Sequence, residues 1–243
     1  MDIGQSVALV TGANRGIGEA FVEALLDAGA ARVYAAARNV EALEDLVAKD
    51  PERIVPLALD ITDEAQVKAA AERASDVNLL VNNAGTAQFV GFLAAPDLDA
   101  ARLDMETNYF GTLAMFRAFA PVLKANGGGA TVTLGSIVSH VNFPLVASYS
   151  ASKAAAHSLI QGMRSELRAQ GTHVVGVYPG PVDTRMAEEL PVDGVPPRQI
   201  ADAALKAVVD GVEDVFPDPM SSELHASLLR DAKAVERQVA EFH

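Results

Sequence analysis

The chain contains no cysteine and no tryptophan. The first absence removes disulfides, thiolate metal sites and cysteine nucleophiles. Aromatic residues make up only 5% of the 243 positions. No apolar run reaches the ~20 residues that a membrane-spanning helix needs. Met1-Asp2-Ile3-Gly4 has neither the basic start nor the long apolar stretch of a secretion signal. Cytoplasm is the expected compartment, with no membrane partner. Positive charge is scarce as well: 19 Lys and Arg stand against 32 Asp and Glu, a formal net charge of −13. A chain that acidic, without a basic block, is poorly suited to bind nucleic acid or an anionic membrane. No repeat, low-complexity tract or linker interrupts it. Residues 1–243 are therefore expected to form one domain.

Half of the residues are hydrophobic, enough for one core that buries roughly 70–75% of the unfolded surface. Short runs rich in Val, Ile and Leu lie at 7–10, 32–36, 54–59, 78–81, 130–135 and 173–178. Continuous apolar character over so few residues suits strands buried on both faces. The stretches between them read as helices. Within 16–28, Ile17, Phe21, Leu25 and Ala28 share one stripe and Gly29 follows as a stop. Segments 64–74 and 97–125 behave alike. Repeated strand–helix alternation predicts a doubly wound parallel sheet in a three-layer αβα arrangement, with right-handed crossovers. Ligands of such folds lie beyond the carboxyl ends of the strands.

The last third departs from this rhythm. Pro191, Gly194, Pro196 and Pro197 make 186–197 an expected irregular excursion over the active face, before a helix at 198–210. Asp218-Pro219 is a cap and first-turn pair for a terminal helix over 218–242. Leu224, Leu228, Ala232, Val235, Val239 and Phe242 line one face of it. Packing on its own domain is the expected use of that face.

Two constellations carry chemistry. Thr11-Gly12-Ala13-Asn14-Arg15-Gly16-Ile17-Gly18 lies between the first strand and the first helix. Glycines there let the backbone approach a pyrophosphate at the positive end of the helix. The spacing is Gly-x3-Gly-x-Gly, not the usual Gly-x-Gly-x2-Gly, so alone it is a weak signal beside a purely structural turn. Tyr149-Ser150-Ala151-Ser152-Lys153 places a phenol and an ammonium on one helical face. A cation about 4–6 Å away favours the phenolate. Tyr-x3-Lys alone is common by chance.

Together, and in order, the motifs resemble those of the short-chain dehydrogenase/reductase family in its single-domain form, across nearly the whole chain. Thr11–Gly18 matches its cofactor turn, and Asn82-Asn83-Ala84-Gly85 the motif after its fourth strand. Asn108, Ser136, Tyr149 and Lys153 match its catalytic tetrad. Pro179-Gly180-Pro181-Val182-Asp183-Thr184 matches the segment after its sixth strand. The resemblance implies a Rossmann-like fold and hydride transfer between a nicotinamide cofactor and a carbonyl or alcohol. Tyr149 would be the acid–base group, Ser136 would hold the substrate oxygen, Lys153 would lower the phenol's pKa and hold a ribose, and Asn108 would anchor a water. The implied cofactor contacts are Gly12, Asn14, Arg15, Gly16, Ile17, Gly18, Asp60, Ile61, Asn83, Ala84, Gly85, Tyr149, Lys153, Pro179, Gly180, Val182 and Thr184.

Cofactor choice is legible in the residues themselves. The second strand ends in Ala35-Ala36-Ala37-Arg38-Asn39, without the acid that binds a ribose diol in NAD enzymes. Arg38 and Arg15 can instead fork onto a 2′-phosphate. NADP(H) is the expected cofactor, and the alternative is an NAD-linked alcohol dehydrogenase with Arg38 stacked on adenine. A non-catalytic nucleotide-sensing protein is a further alternative, disfavoured because the tetrad is intact.

The expected substrate is a small-molecule ketone, aldehyde or alcohol, facing Ser136, Tyr149 and His140. Gln88, Phe89, Asn142, Phe143, Val146, Met186 and Leu190 are candidate lining residues. His140 either touches a polar substrate group or is bonded to loop backbone. His157, His173, His225 and His243 lack metal-ligand spacing and read as structural or exposed. The family assembles as homo-oligomers, and a dimer through 97–125 and 148–170 is expected here. The glycine-rich last strand of its tetramers has no match at 213–217.

Overall fold

The computed structural model describes residues 1–188 and 193–241. The strands are β1 (Val7–Thr11), β2 (Arg32–Ala37), β3 (Ile54–Ala58), β4 (Leu79–Asn82), β5 (Ala130–Leu134), β6 (His173–Val177) and β7 (Asp214–Val215). All pairings are parallel, in the order β3-β2-β1-β4-β5-β6-β7. The direction of winding reverses between β1 and β4, which opens a crevice at their carboxyl ends.

The helices are α1 (Gly16–Asp27), α2 (Glu44–Lys49), α3 (Glu64–Arg73), α4 (Asp99–Met105), α5 (Thr112–Ala125), α6 (Ala147–Leu167), α7 (Pro197–Asp210) and α8 (Pro219–Val239). Alternation along each strand feeds two cores. Ala8, Val10, Leu79 and Val81 pack with Phe21 and Leu25 of α1 and with Ile200 and Val208 of α7. Leu9 and Leu80 face the other way, toward Val67 of α3 and Met115, Phe119 and Leu123 of α5. Ile160 of α6 joins Phe116, Val174 and Tyr178 in a third cluster. Each fully buried side chain of this size contributes roughly 1.5–3 kcal/mol. The continuous apolar runs of the sequence therefore reflect strands covered on both sides.

Four local features differ from the sequence reading. A short 3-10 turn (Val40–Leu43) and α2 fill the connection from β2 to β3, burying Leu43 and Leu46. The segment expected as one helix over 97–125 contains a π-helical turn (Glu106–Gly111) between α4 and α5. A seventh strand exists: Gly176 N–H donates to Glu213 O and Tyr178 N–H to Val215 O, both at 2.8 Å. The terminal helix begins as expected on a capping box between Asp218 and Ser221, but its backbone leaves helical geometry at Asp231. Val235 and Val239 are buried beyond that break, whereas Ala232 is exposed. Phe242 and His243 lie outside the described residues, as do positions 189–192 of the expected excursion, Leu190 among them.

Candidate active site

The glycine turn stands at the carboxyl end of β1. Gly12 has φ +64°, and a Cβ there would lie 3.1 Å from Ala84 Cα. Gly18 is under a stricter demand, because its Cβ would fall 2.1 Å from the Gly12 carbonyl oxygen. Asn83 latches the turn from β4: its Nδ2 donates to Thr11 O at 2.8 Å and Gly12 O at 3.2 Å. Thr11 Oγ1 in turn accepts from the Asn83 and Ala84 N–H groups at 3.0 Å each. Arg15 occupies the N-cap of α1 without a side-chain cap bond. The first N–H groups of α1 are thus left for another acceptor, at the positive end of the helix dipole. The residues present fit a dinucleotide pyrophosphate. Asn14 and Ile17 are half-buried beside this turn.

Arg15 and Arg38 are both exposed, and neither guanidinium has a partner among the described residues. Other arginines are engaged: Arg32 with Asp76, Arg53 with Asp50, Arg164 with Asp214, and Arg198 with Asp27. Asp60 accepts from the N–H and hydroxyl of Thr62 at 3.0 and 2.7 Å. Ile61 is buried under the π-turn, where a Cβ on Gly111 would come within 2.8 Å of it.

The tetrad residues converge on α6. Asn108, in the π-turn, donates through Nδ2 to Thr86 O at 2.8 Å and Ser152 Oγ at 2.9 Å. Its Oδ1 accepts from Thr86 N–H at 3.0 Å. A Cβ on Gly85 would approach both Asn108 Oδ1, at 3.0 Å, and Lys153 Nζ, at 3.6 Å. Asn108 is therefore a brace for the chain after β4, the structural use of such an asparagine. Lys153 is buried and donates to Leu134 O at 2.6 Å. Its Nζ lies 5.7 Å from the centre of the Tyr149 ring. Burial lowers the ammonium to about 8, against the pull of Asp104. The Tyr149 phenol is raised to about 12, chiefly by burial; the Ser136 hydroxyl opposes this and the Asp104 charge adds to it. The shift is thus upward, opposite to the lowering expected from the ammonium, with burial its chief cause. Ser136 is buried at the end of β5, donates to Pro179 O at 3.4 Å and forms a capping box with Ser139.

The segment after β6 closes the site. Thr184 Cγ2 would sit 3.0 Å from a Cβ on Gly16. Val182 is buried and bridges to Val195. Gly180 N–H donates to Asp218 Oδ2 at 2.8 Å, which ties the segment to the first turn of α8. Of the candidate lining residues, Gln88 and Phe89 are half-buried, Val146 is buried, and Asn142 and Met186 are exposed. Phe143 N–H donates to Ser150 Oγ at 3.2 Å.

His140 packs into a stack of rings. His157 lies 4.5 Å away, Tyr178 4.8 Å, Phe216 5.5 Å and His225 5.6 Å. Its Nε2 is buried without a hydrogen-bond partner among the described residues, so it is not the backbone-bonded histidine weighed from the sequence. The roles of two buried polar residues escaped the sequence reading. Asp104, fully buried, accepts from Ser148 Oγ at 2.7 Å; its place four residues before Asn108 was the available signal. Asp218 was recognised as a cap but not as the acceptor for Gly180.

Residues 6–193 match the family described as short chain dehydrogenase. A short chain dehydrogenase of Monascus purpureus is 36% identical over 196 residues, covering 76% of this chain and 67% of that protein. An uncharacterized oxidoreductase of Staphylococcus aureus is 32% identical over 212 residues, covering 83% of this chain and 90% of that one. A short chain dehydrogenase from Burkholderia cenocepacia, solved in complex with NADP, superposes with a TM-score of 0.93 at 45% identity, over 98% of this chain and 99% of that one. Sequence and topology thus agree over most of the molecule, and the chain belongs to the short-chain dehydrogenase/reductase family of oxidoreductases.

Proposed function

We propose that the protein is an NADP(H)-dependent oxidoreductase that interconverts a ketone or aldehyde with its alcohol. The observation that carries this reading is Lys153 Nζ 5.7 Å from the Tyr149 ring centre, with Ser136 buried at the end of β5 and the glycine turn at the end of β1. When bound, the cofactor supplies or accepts the hydride at the carbonyl carbon. A phenol raised to about 12 stays protonated at neutral pH, which suits Tyr149 to donate a proton to the substrate oxygen during reduction. Ser136 exchanges its weak 3.4 Å bond to Pro179 O for one to that oxygen, stabilising charge as it develops. Lys153, held by Leu134 O, places its positive charge by the phenolate left behind. The N–H groups opening α1 and the Gly180–Thr184 segment would hold the pyrophosphate and nicotinamide ends. Arg15 and Arg38, both without protein partners among the described residues, suit a 2′-phosphate. The NADP complex of the Burkholderia cenocepacia relative supports the same choice. His140 enters this reading as part of the wall behind Ser136.

The test follows NADPH consumption by its near-ultraviolet absorbance across a panel of ketones and aldehydes. Tyr149→Phe is expected to lose about 10³-fold or more in turnover while binding NADPH within about twofold of the parent. Full activity in that variant overturns the mechanism. Arg38→Ala is expected to cut the NADPH-over-NADH preference by about tenfold or more, the loss of roughly 1.4 kcal/mol of charge-assisted contact. An unchanged ratio would remove Arg38 from the phosphate site and favour the NAD-linked alternative.

A further inference from the structure

Helix α6 is joined to α4 and to the π-turn that follows it by two side-chain hydrogen bonds at the same offset in the chain. Ser148 Oγ donates to Asp104 Oδ2 at 2.7 Å, and Asn108 Nδ2 donates to Ser152 Oγ at 2.9 Å. Asp104 and Asn108 stand four apart, as do Ser148 and Ser152, so the bonds stack like rungs about one turn apart. Each rung serine directly precedes one of the reacting pair: Ser148 precedes Tyr149, and Ser152 precedes Lys153. Asn108 belongs to the family's tetrad, whereas Asp104 does not. Its carboxyl is fully buried, and Oδ1 has no hydrogen-bond partner among the described residues. An apolar side chain would join the two helices without the cost of desolvating a carboxyl.

We propose that Asp104 is a positioning residue of the reaction centre: through Ser148 it holds the first turn of α6, and with it the Tyr149 phenol, in place beside Ser136. The inference rests on the reading of Tyr149 as the acid–base group. The electrostatics point the same way, because Asp104 acts to raise both Tyr149 and Lys153. Its own carboxyl is raised by burial, which outweighs the Ser148 hydroxyl, the Gln88 backbone N–H and the Lys153 ammonium. Those groups, with Tyr149, are what face it from α6 and from the chain after β4. Arg102 and Glu106, its neighbours along the helix, are exposed.

Asp104→Asn keeps an oxygen for Ser148 and removes the charge; Ser148→Ala removes the rung and keeps the charge. Reduction needs the protonated phenol, so kcat/KM falls as pH rises through its titration. Removing a nearby negative charge favours phenolate, and Asp104→Asn is expected to move that alkaline limb down by roughly half a pH unit or more. Ser148→Ala is expected to lower kcat about tenfold with the limb in place. A role confined to packing would change stability and leave both readouts alone. A limb that coincides with the parent's, or an unchanged kcat in Ser148→Ala, overturns the proposal.

A second readout needs no substrate. The chain has four tyrosines and no tryptophan, so tyrosinate absorbance after a rapid alkaline pH jump is unobscured. Subtracting the matching Tyr149→Phe protein isolates the Tyr149 component. Its titration is expected at lower pH in Asp104→Asn, and an unmoved titration counts against Asp104. If the parent turns over nothing but the shift is present, the reductase reading falls, and what stands is the hold of Asp104 on the Tyr149 phenol.

Discussion

Helix α6 has two unlike sides. Toward α4 and the π-turn after it, it presents Ser148 and Ser152, short side chains whose hydrogen bonds to Asp104 and Asn108 allow one geometry each. Toward β6, β7 and α8 it presents His157, whose Nδ1 meets the Tyr178 hydroxyl at 2.8 Å. Around it lie His140, Phe216 and His225, the last two stacked with ring centres 3.8 Å apart. The first side is a polar ladder that positions; the second is mainly a stack of rings that fills space, with one hydrogen bond, His157 to Tyr178, inside it. Ladder bonds are short and directional, so loss of one partner strands the other. Ring contacts are broad, and what they exclude is charge. The reacting pair is threaded along the ladder, where position is held most narrowly.

The largest expected effect comes from cutting the ladder at Asn108. Asn108→Leu keeps nearly the same volume but leaves the Thr86 N–H and C=O and the Ser152 hydroxyl without their bonds to it. Stranding buried polar groups in this way costs roughly 3 kcal/mol, to be read by urea unfolding. Turnover should fall about 100-fold, because displacement of the chain after β4 and of Lys153 misaligns the reacting groups. A loss under about 1 kcal/mol would mean that apolar packing, not the ladder, sets α6, and the contrast between its two sides would dissolve.

The halves of this comparison differ in how far the sequence discloses them. Six of the strands are legible because burial on both faces forces continuous Val, Ile and Leu runs. The glycine turn is legible because a Cβ on Gly18 meets the Gly12 carbonyl oxygen, a constraint only glycine meets. Asn108, Ser136, Tyr149 and Lys153 are legible through the family resemblance, since Tyr-x3-Lys alone is common by chance. Asp104 was not, because a carboxylate in an amphipathic helix reads as a solvated residue. Its burial depends on Ser148, which lies 44 positions away. The π-turn at Glu106–Gly111 is a backbone irregularity with no composition of its own. Strand β7 is two residues long and begins with Asp214, held by an arginine from α6 through Arg164–Asp214 at 2.6 Å. The ring stack draws on separate elements, so no window of sequence contains it.

The stack should break by charge, and by less. Burial lowers the His140 imidazole to about 4 from an ordinary 6.5; repulsion from His157 and His225 adds, and Asp214 opposes. His157 is lowered too, chiefly by burial. A histidine lowered in the fold takes its proton later than the unfolded chain does. As pH falls, the unfolded state therefore binds more protons and the native state loses ground. The contribution is fully present above 6.5 and is gone by about 4. His140→Phe keeps a ring of similar size and removes the proton site. Between about pH 7 and pH 4.5 the parent should lose up to about 2 kcal/mol more than the variant, a figure reduced for solvent screening of a half-buried ring. Parallel pH slopes in urea unfolding would show that the stack does not resist the cation. The first consequence of a loosened stack should appear where α8 touches the site, since Asp218 at its cap accepts from Gly180 N–H. Faster exchange of that amide at low pH in the parent, and not in His140→Phe, would link protonation of the stack to the segment that borders the glycine turn.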